Sequence, residues 1–174
     1  PIMQEAIEQT RELFSKTHDP QIVDIILDKA SYHQLVIDLN EIKSPFLHRL
    51  AELITDTTNI KMFIRARFLN KSWDFIQKIL LKHGTIREKV YFGSSGKSID
   101  DFVEQLHNSE YADVVEKGWE MSKSTKTSLE LEKLLDDYIM EYIQGAKMVT
   151  MGVEPLIAYL FAKEAEIKNV RIIM

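Results

Sequence analysis

The chain has 174 residues, of which 45% are hydrophobic, so it carries enough apolar material for a substantial core and is not expected to be disordered. Its 22 Lys and Arg residues are outnumbered by 27 Asp and Glu residues, and the signs alternate along the chain, which argues against binding of nucleic acid or anionic lipid by charge alone. The absence of Cys excludes disulfides and thiolate chemistry and fits a reducing compartment.

Apolar residues recur at three- and four-residue spacing through nearly every long segment, which predicts an all-α fold, a multi-helix bundle with no β-sheet. Asp19-Pro20 and Ser44-Pro45 each place a capping side chain before a proline, a typical helix start. The predicted helices are 2–16, 20–41, 45–68, 72–82, 86–92, 99–107, 110–121, 128–144 and 154–172.

The middle of the chain is the most interrupted part of this pattern. Three capping boxes are predicted, beginning at Thr85, Ser98 and Thr127, and Gly84 is interpreted as a helix C-cap. The Gly-Ser-Ser-Gly run at 93–96 predicts a mobile loop between short helices. The weakly charged run 149–162 is too short to span a bilayer, and residues 1–7 lack a basic segment, so neither membrane insertion nor a signal peptide is expected.

The helices beginning near Pro45 and Pro155 resemble each other at a constant offset of 110 residues. A Leu-Asp…Tyr element precedes each one, with Asp28 in the first copy and Asp136 in the second. We therefore predict the end of a preceding helical unit at 1–18, a helical unit at 19–127, and the truncated start of a similar unit at 128–174. Chance similarity between two amphipathic helices remains the alternative. The matched polar pairs are Asp56/Glu166, Asn59/Asn169 and Lys61/Arg171.

On a helical wheel the apolar stripe of the 45–68 helix has Asp56 on one flank and Lys61 on the other, too far round to pair with each other. Asn59 and Phe63 share a second face with Asp56, which predicts a helix packed on both sides and central in the bundle. Side chains such as Asp56 and Asn59 are expected to fix the register between helices or to solvate the flanks.

No catalytic, cofactor-binding or metal-binding residues are predicted. The run Gly96-Lys97-Ser98 ends like a phosphate-binding loop, but Tyr91 stands where that motif requires glycine. His48, Glu52 and Asp56 are spaced one helical turn apart, which we interpret as a solvated helix side because no second ligand helix accompanies them. Adjacent carboxylates, as at 100–101 and 136–137, point apart on a helix and cannot share a proton.

Three segments of the chain carry a resemblance to a known family. The strongest runs from Gly152-Val153-Glu154-Pro155 to Asn169-Val170-Arg171. An earlier copy runs from Asp56 through Asn59-Ile60-Lys61 to Arg65, and the third comprises 27–32 and the turn at 83–86. In this order the segments resemble the family of C subunits of V/A-type ATPases, whose eukaryotic members are called d subunits. Similarity extends over about residues 22–174, and this family's members are longer, so the chain is similar to the later portion of such a protein, from a bacterium or an archaeon.

The resemblance implies the later portion of a funnel-shaped, all-helical protein that is built from three similar units around a pseudo-threefold axis. Such a protein would be the non-catalytic collar of the central rotor, at the cytoplasmic face of the membrane. It would join the membrane proteolipid ring to the central-stalk subunits during ion transport and ATP synthesis or hydrolysis. No cofactor, nucleic acid or small-molecule substrate is implied. The family-signature residues, expected to couple helices, are Asp28, Asp56, Asn59, Lys61, Arg65, Pro155, Glu166, Asn169 and Arg171.

Two other interpretations of the residues stay open at this point. One is a helical-repeat adaptor unrelated to ATPases, which would bind partner helices in an amphipathic groove. The other is a small all-helical enzyme with an unrecognised pocket.

Overall fold

The computed structural model describes residues 2–174, with the side chains of 172 and 173 left aside, and this part of the chain is all-α, as predicted. It forms nine α-helices and one 3-10 turn. They are α1 (Ile2–Thr17), α2 (Pro20–Glu41), α3 (Pro45–Phe68), α4 (Trp73–Ile79), α5 (Glu88–Ser95), α6 (Ile99–Gln105), α7 (Ala112–Thr125), α8 (Leu129–Gln144), the 3-10 turn (Gly145–Met148) and α9 (Glu154–Ile173).

Helix starts follow the capping signals where a short polar side chain precedes a proline. The Asp19 carboxylate accepts a hydrogen bond from the Gln21 amide at 2.9 Å. The Ser44 hydroxyl caps α3 in the same way, and a proline occupies the first turn of both helices. The capping box at Ser98 is confirmed, with Asp101 as its second member. These starts depend on neighbouring residues alone, which is why sequence could predict them.

Helix α3 is the centre of the fold, as predicted. Every residue from Leu53 to Ile60 is buried, whichever side of the helix it occupies. Two threonines in this stretch satisfy their hydroxyls within the helix: Thr55 donates to the Ala51 carbonyl at 2.8 Å, and Thr57 donates to the Leu53 carbonyl at 2.7 Å. A helix that is buried on all sides contacts neighbouring elements in every direction, so its position determines where those elements can pack.

Two hydrophobic cores lie along α3. The first surrounds its C-terminal half and is built with α4 to α8. The second surrounds its N-terminal half and is built with α2, α8, the 3-10 turn and α9. Members of the first core include Ile60, Phe63, Ile64, Ile76, Phe102, Tyr111, Val115, Leu131 and Leu135. Members of the second include Val36, Leu39, Leu47, Leu50, Ile54, Ile143, Ala146 and Ala158.

The predicted mobile loop at 93–96 is wrong. Helix α5 continues through Ser95, and Ser94 is fully buried. The Ser94 hydroxyl donates to the Val90 carbonyl at 2.9 Å and accepts from the Gln105 amide at 2.7 Å. The Arg67 guanidinium also donates to the Ser95 carbonyl. These bonds to α3 and α6 hold a glycine- and serine-rich segment that local propensity alone would leave irregular.

The capping boxes predicted at Thr85 and Thr127 are also wrong. Helix α5 begins after Arg87, and α8 begins after Ser128, neither of which caps through its side chain. Helix α4 ends at Ile79, three residues before the predicted end, so Gly84 is not its C-cap. The segment 80–87 is instead a non-helical connection between α4 and α5, and side chains of α3 bind it by hydrogen bonds.

Candidate functional site

Asp56 lies at the centre of a buried polar cluster. Its side chain is 0% exposed, and its carboxylate accepts hydrogen bonds from the amides of Thr85 at 3.0 Å and Ile86 at 3.2 Å. The Tyr111 hydroxyl donates to it at 2.9 Å, and the Thr85 hydroxyl donates as well. The expectation that Asp56 stands on a solvated helix side is therefore wrong, because four donors replace the water that the carboxylate has lost.

The connection between α4 and α5 is held against α3 at two points. The Asn59 side-chain amide donates to the Leu81 carbonyl at 3.0 Å, and the Asn59 side-chain oxygen accepts from the Leu81 amide at 2.7 Å. Further along, Gly84 passes so close that a Cβ there would lie 2.2 Å from an Asp56 carboxylate oxygen. Glycine is required at 84 by this approach, so α3 and the 80–87 segment form one fitted unit.

The cluster fixes the ionisation of its tyrosines. Burial raises the pKa of Tyr111, and the nearby Asp56 charge raises it further. Burial and Asp56 likewise raise the pKa of Tyr91, whose buried hydroxyl has no hydrogen-bond partner among the described residues. A raised pKa keeps the Tyr111 hydroxyl protonated at neutral pH, as a donor to the Asp56 carboxylate.

Lys61 and Arg65 join the other side of α3 to α8. The Lys61 ammonium lies 2.5 Å from the Asp136 carboxylate, and the Arg65 guanidinium makes two hydrogen bonds to Glu132. Burial raises the pKa of Asp136, but the hydrogen bond and charge of Lys61 outweigh it and hold this pKa below its usual value. Lys168 of α9 reaches Asp136 at 3.2 Å, so one carboxylate connects three helices.

The matching residues of the second copy are placed differently. Glu166, Asn169 and Arg171 are exposed, and Glu166 pairs at 2.6 Å with Lys163 of its own helix. Asp28 is exposed on α2. Within the part of the chain described, none of these four side chains bonds to another helix. The resemblance between the two predicted copies therefore does not extend to the contacts of these side chains.

The two helices of the predicted repeat, α3 and α9, are in contact where they begin. Pro155 occupies the first turn of α9, as Pro45 does in α3. The Ser44 hydroxyl donates to the Glu154 carboxylate at 2.7 Å, and these two residues are separated by 110 positions, which is the offset of the repeat. That hydrogen bond lowers the pKa of Glu154. One carboxylate thus lies at the positively polarised N-terminal ends of both helices.

Helix α9 presents apolar side chains to solvent at the positions that correspond to the buried stripe of α3. Leu160, the counterpart of buried Leu50, is 52% exposed. Two methionines before α9, Met148 and Met151, are more than four-fifths exposed. The other exposed apolar residues of α9 are Leu156, Tyr159, Ile167 and Val170. Exposed apolar surfaces of this kind are typical of sites that bind other molecules.

Sequence reasoning missed Thr85, Tyr111 and Glu132 as partners of the signature residues. In the sequence, only the Gly84-Thr85 pair could have indicated such a contact, and this pair is equally typical of a local helix cap. Among the described residues, no group of three or more His, Cys, Asp or Glu side chains is placed to hold a metal ion. Nor is any helix in the described range both long and apolar enough to cross a membrane.

The fold and these contacts define an all-helical protein, in which buried polar side chains bind backbone and neighbouring helices. The family model described as ATP synthase (C/AC39) subunit matches residues 2–174, so the chain belongs to that family, as the resemblance indicated. This membership excludes an adaptor unrelated to such ATPases.

Three curated relatives illustrate the match. The C subunit of the A-type ATP synthase of Methanobrevibacter smithii is 31% identical over 121 residues, covering 68% of this chain and 32% of the relative. The C subunit of the V-type sodium ATPase of Enterococcus hirae is 26% identical over 170 residues, covering 97% and 51%. The C subunit of the A-type ATP synthase of Methanothermobacter thermautotrophicus is 28% identical over 130 residues, covering 73% and 34%.

The chain thus spans about a third to a half of the length of these relatives. Comparison with solved structures found no match.

Proposed function

We propose that the chain is part of the non-catalytic collar of the central rotor in a V/A-type rotary ATPase. In this role it couples rotation of the membrane proteolipid ring to the central stalk, at the cytoplasmic face of the membrane. The observation that carries the proposal is the family match over residues 2–174. The names of the relatives, which are subunits of an A-type ATP synthase and of a V-type sodium ATPase, agree with it.

A coupling protein must transmit force without changing its own shape, and the contacts of α3 support that requirement. Asp56 and Asn59 bind the backbone of the 80–87 connection, while Lys61 and Arg65 bind α8. Polar bonds of this kind are directional, so they favour one register of the helices over others that would bury similar apolar area. The signature residues of α3 are proposed to keep the collar rigid.

The exposed apolar side chains of α9 and of the turn before it support a role in assembly. Removing them from water by contact with other polypeptide is favourable by about 25 cal/mol for each Å² buried. We propose that ATP is handled elsewhere in the complex, and that the division of the chain into units at 19 and 128 reflects a repeat of the collar. The exposed signature residues Glu166, Asn169 and Arg171 are then proposed to face a neighbouring unit or another protein of the complex.

Co-purification tests this function. The tagged chain is mixed with detergent-solubilised proteolipid ring and, separately, with isolated central-stalk subunits from the same organism. We expect at least one of the two to be retained after washing, and both together to be retained in a complex. An isolated protein of the ATP-hydrolysing head from the same organism serves as the negative control. Failure to retain either the ring or the stalk would overturn the proposal.

A further inference from the structure

A cavity of about 810 Å³ opens between α1, α2 and the end of α4. Its volume falls within the range of about 300–1,000 Å³ that is typical of small-molecule sites. Most of its wall is aliphatic, supplied by one face of each of the first two helices. The apolar lining includes Ala6, Leu13, Ile22, Ile25, Ala30 and Val36.

The end of this cavity that faces α4 is cationic, and it lies beside the middle of the α2 wall. Lys29 and His33 stand one turn apart on α2, and the Lys29 ammonium donates to the Lys78 carbonyl at 2.8 Å. The His33 ring stacks on His83, with centroids 5.5 Å apart and planes 13° from parallel. Lys82 completes the group. Lys29, Lys82 and the two stacked histidines therefore lie where α2 passes the end of α4, and Lys78 also lines this part of the cavity.

The opposing charge at this end is small. Glu5 of α1 is the carboxylate among the residues that line the cavity, against three lysines. Glu88 lies near enough to Lys29 to stabilise its charge, but burial and the neighbouring Lys82 lower the pKa of Lys29. A chain of net charge −5 thus concentrates positive charge at one point beside an apolar cavity. Such a point attracts an anion.

His83 adds a conformational observation. Its φ is 73°, in the left-handed region that a residue with a side chain seldom occupies. Backbone held in this way concentrates at ligand-binding and functional sites. Here it carries the His83 ring against His33, at the cationic end of the cavity.

The distribution of these groups distinguishes between possible occupants. A helix is about 10–12 Å across with its side chains and would present charges along its length. The cavity instead has charge at one end and aliphatic walls beyond it, which fits a molecule with one anionic head and one hydrocarbon chain. We propose that the cavity binds a long-chain carboxylate, with its head at Lys29 and Lys82 and its chain along Ile22 and Ile25. This inference is independent of the proposed rotor function.

Isothermal titration calorimetry of the intact chain with decanoate tests the proposal. We expect saturable binding of one decanoate, and at least tenfold weaker binding of decyl glucoside, decyltrimethylammonium and acetate. The glucoside keeps the chain without the charge, the ammonium reverses the charge, and acetate lacks the chain. Equal binding of decanoate and decyl glucoside, or no saturable binding of decanoate, would overturn the assignment.

Variants locate the site. The double substitution Lys29→Gln with Lys82→Gln should weaken decanoate binding at least tenfold. Lys89→Gln, at an exposed position of α5 outside the cavity, should change binding less than twofold. Ile25→Trp should block the chain-binding part of the cavity and abolish binding. Circular dichroism establishes that each variant is folded. Undiminished binding in both the double variant and Ile25→Trp would place the ligand elsewhere and refute the proposal.

Discussion

Replacing Asp56 with alanine tests whether the buried polar cluster holds α3 to the rest of the fold. The substitution removes the acceptor of four hydrogen bonds. It leaves the hydroxyl of Tyr111, which is fully buried, and the partly buried amide of Ile86 without partners. The donors of Thr85 are nearer to the surface and can turn to water.

The magnitude follows from these exposures. An unpaired buried polar group costs about 1–3 kcal/mol, and relief from burying the Asp56 charge offsets part of the total. We expect Asp56→Ala to lower the free energy of unfolding by about 3 kcal/mol. For a chain of this size that corresponds to a fall in melting temperature of roughly 6–12 °C. Asp56→Asn, which retains one acceptor oxygen, should lose about half as much.

Urea denaturation followed by circular dichroism in the far ultraviolet measures the effect. Asp28→Ala is the matched control, since Asp28 is an exposed aspartate within α2, and it should alter stability by less than about 0.5 kcal/mol. If Asp56→Ala were no more destabilising than Asp28→Ala, the hydrogen bonds to 85, 86 and 111 would not hold the fold, and the reasoning would be refuted.

Two further substitutions examine neighbouring contacts. Gly84→Ala should destabilise the chain by about 1–3 kcal/mol, because the added Cβ would collide with the Asp56 carboxylate. Gly96→Ala is the control, because no atom lies within 4 Å of its added Cβ, and it should leave the melting temperature nearly unchanged. Lys61→Met should cost under about 1 kcal/mol at pH 7, since the Asp136 side chain is 43% exposed. Because the pKa of Asp136 is depressed in the folded state, its stabilisation is present above the unfolded pKa of about 3.9 and is lost as pH falls through the folded pKa. Urea unfolding at neutral pH and at a pH below the folded pKa should therefore show the Lys61→Met difference only at neutral pH; an equal difference at both would contradict the assignment.

Elements that depend on neighbouring residues could be predicted from the sequence, and elements set by distant contacts could not. The period of apolar residues and the caps at Asp19 and Ser44 act within a few positions, so the helices of the described range could be predicted. Thr85 has the sequence signature of a cap, but Asp56, 29 positions earlier, takes its hydroxyl and amide. Ser94 lies in a glycine-rich run, yet Gln105 of another helix holds it in place.

In the candidate site as well, the sequence indicated some of the residues but not the partners that they contact. The repeat drew attention to Asp56 and Asn59, but their partners come from the connection and helices that follow α3, which the helix sequence does not specify. Asn169 has the same residue type and helical position as Asn59 and is exposed. Residue identity at a repeated position therefore predicts the helix, while the contacts depend on what packs against each copy.

The burial of α3 on every side between Leu53 and Ile60 has a mechanical consequence. Long helices usually curve because carbonyls on the wet side tilt towards water and lengthen their hydrogen bonds, while those on the dry side stay short. These two turns have no side that faces water, so that source of curvature is absent. With 24 residues and about 1.5 Å of rise per residue, α3 is a strut of roughly 36 Å that resists bending along its buried turns.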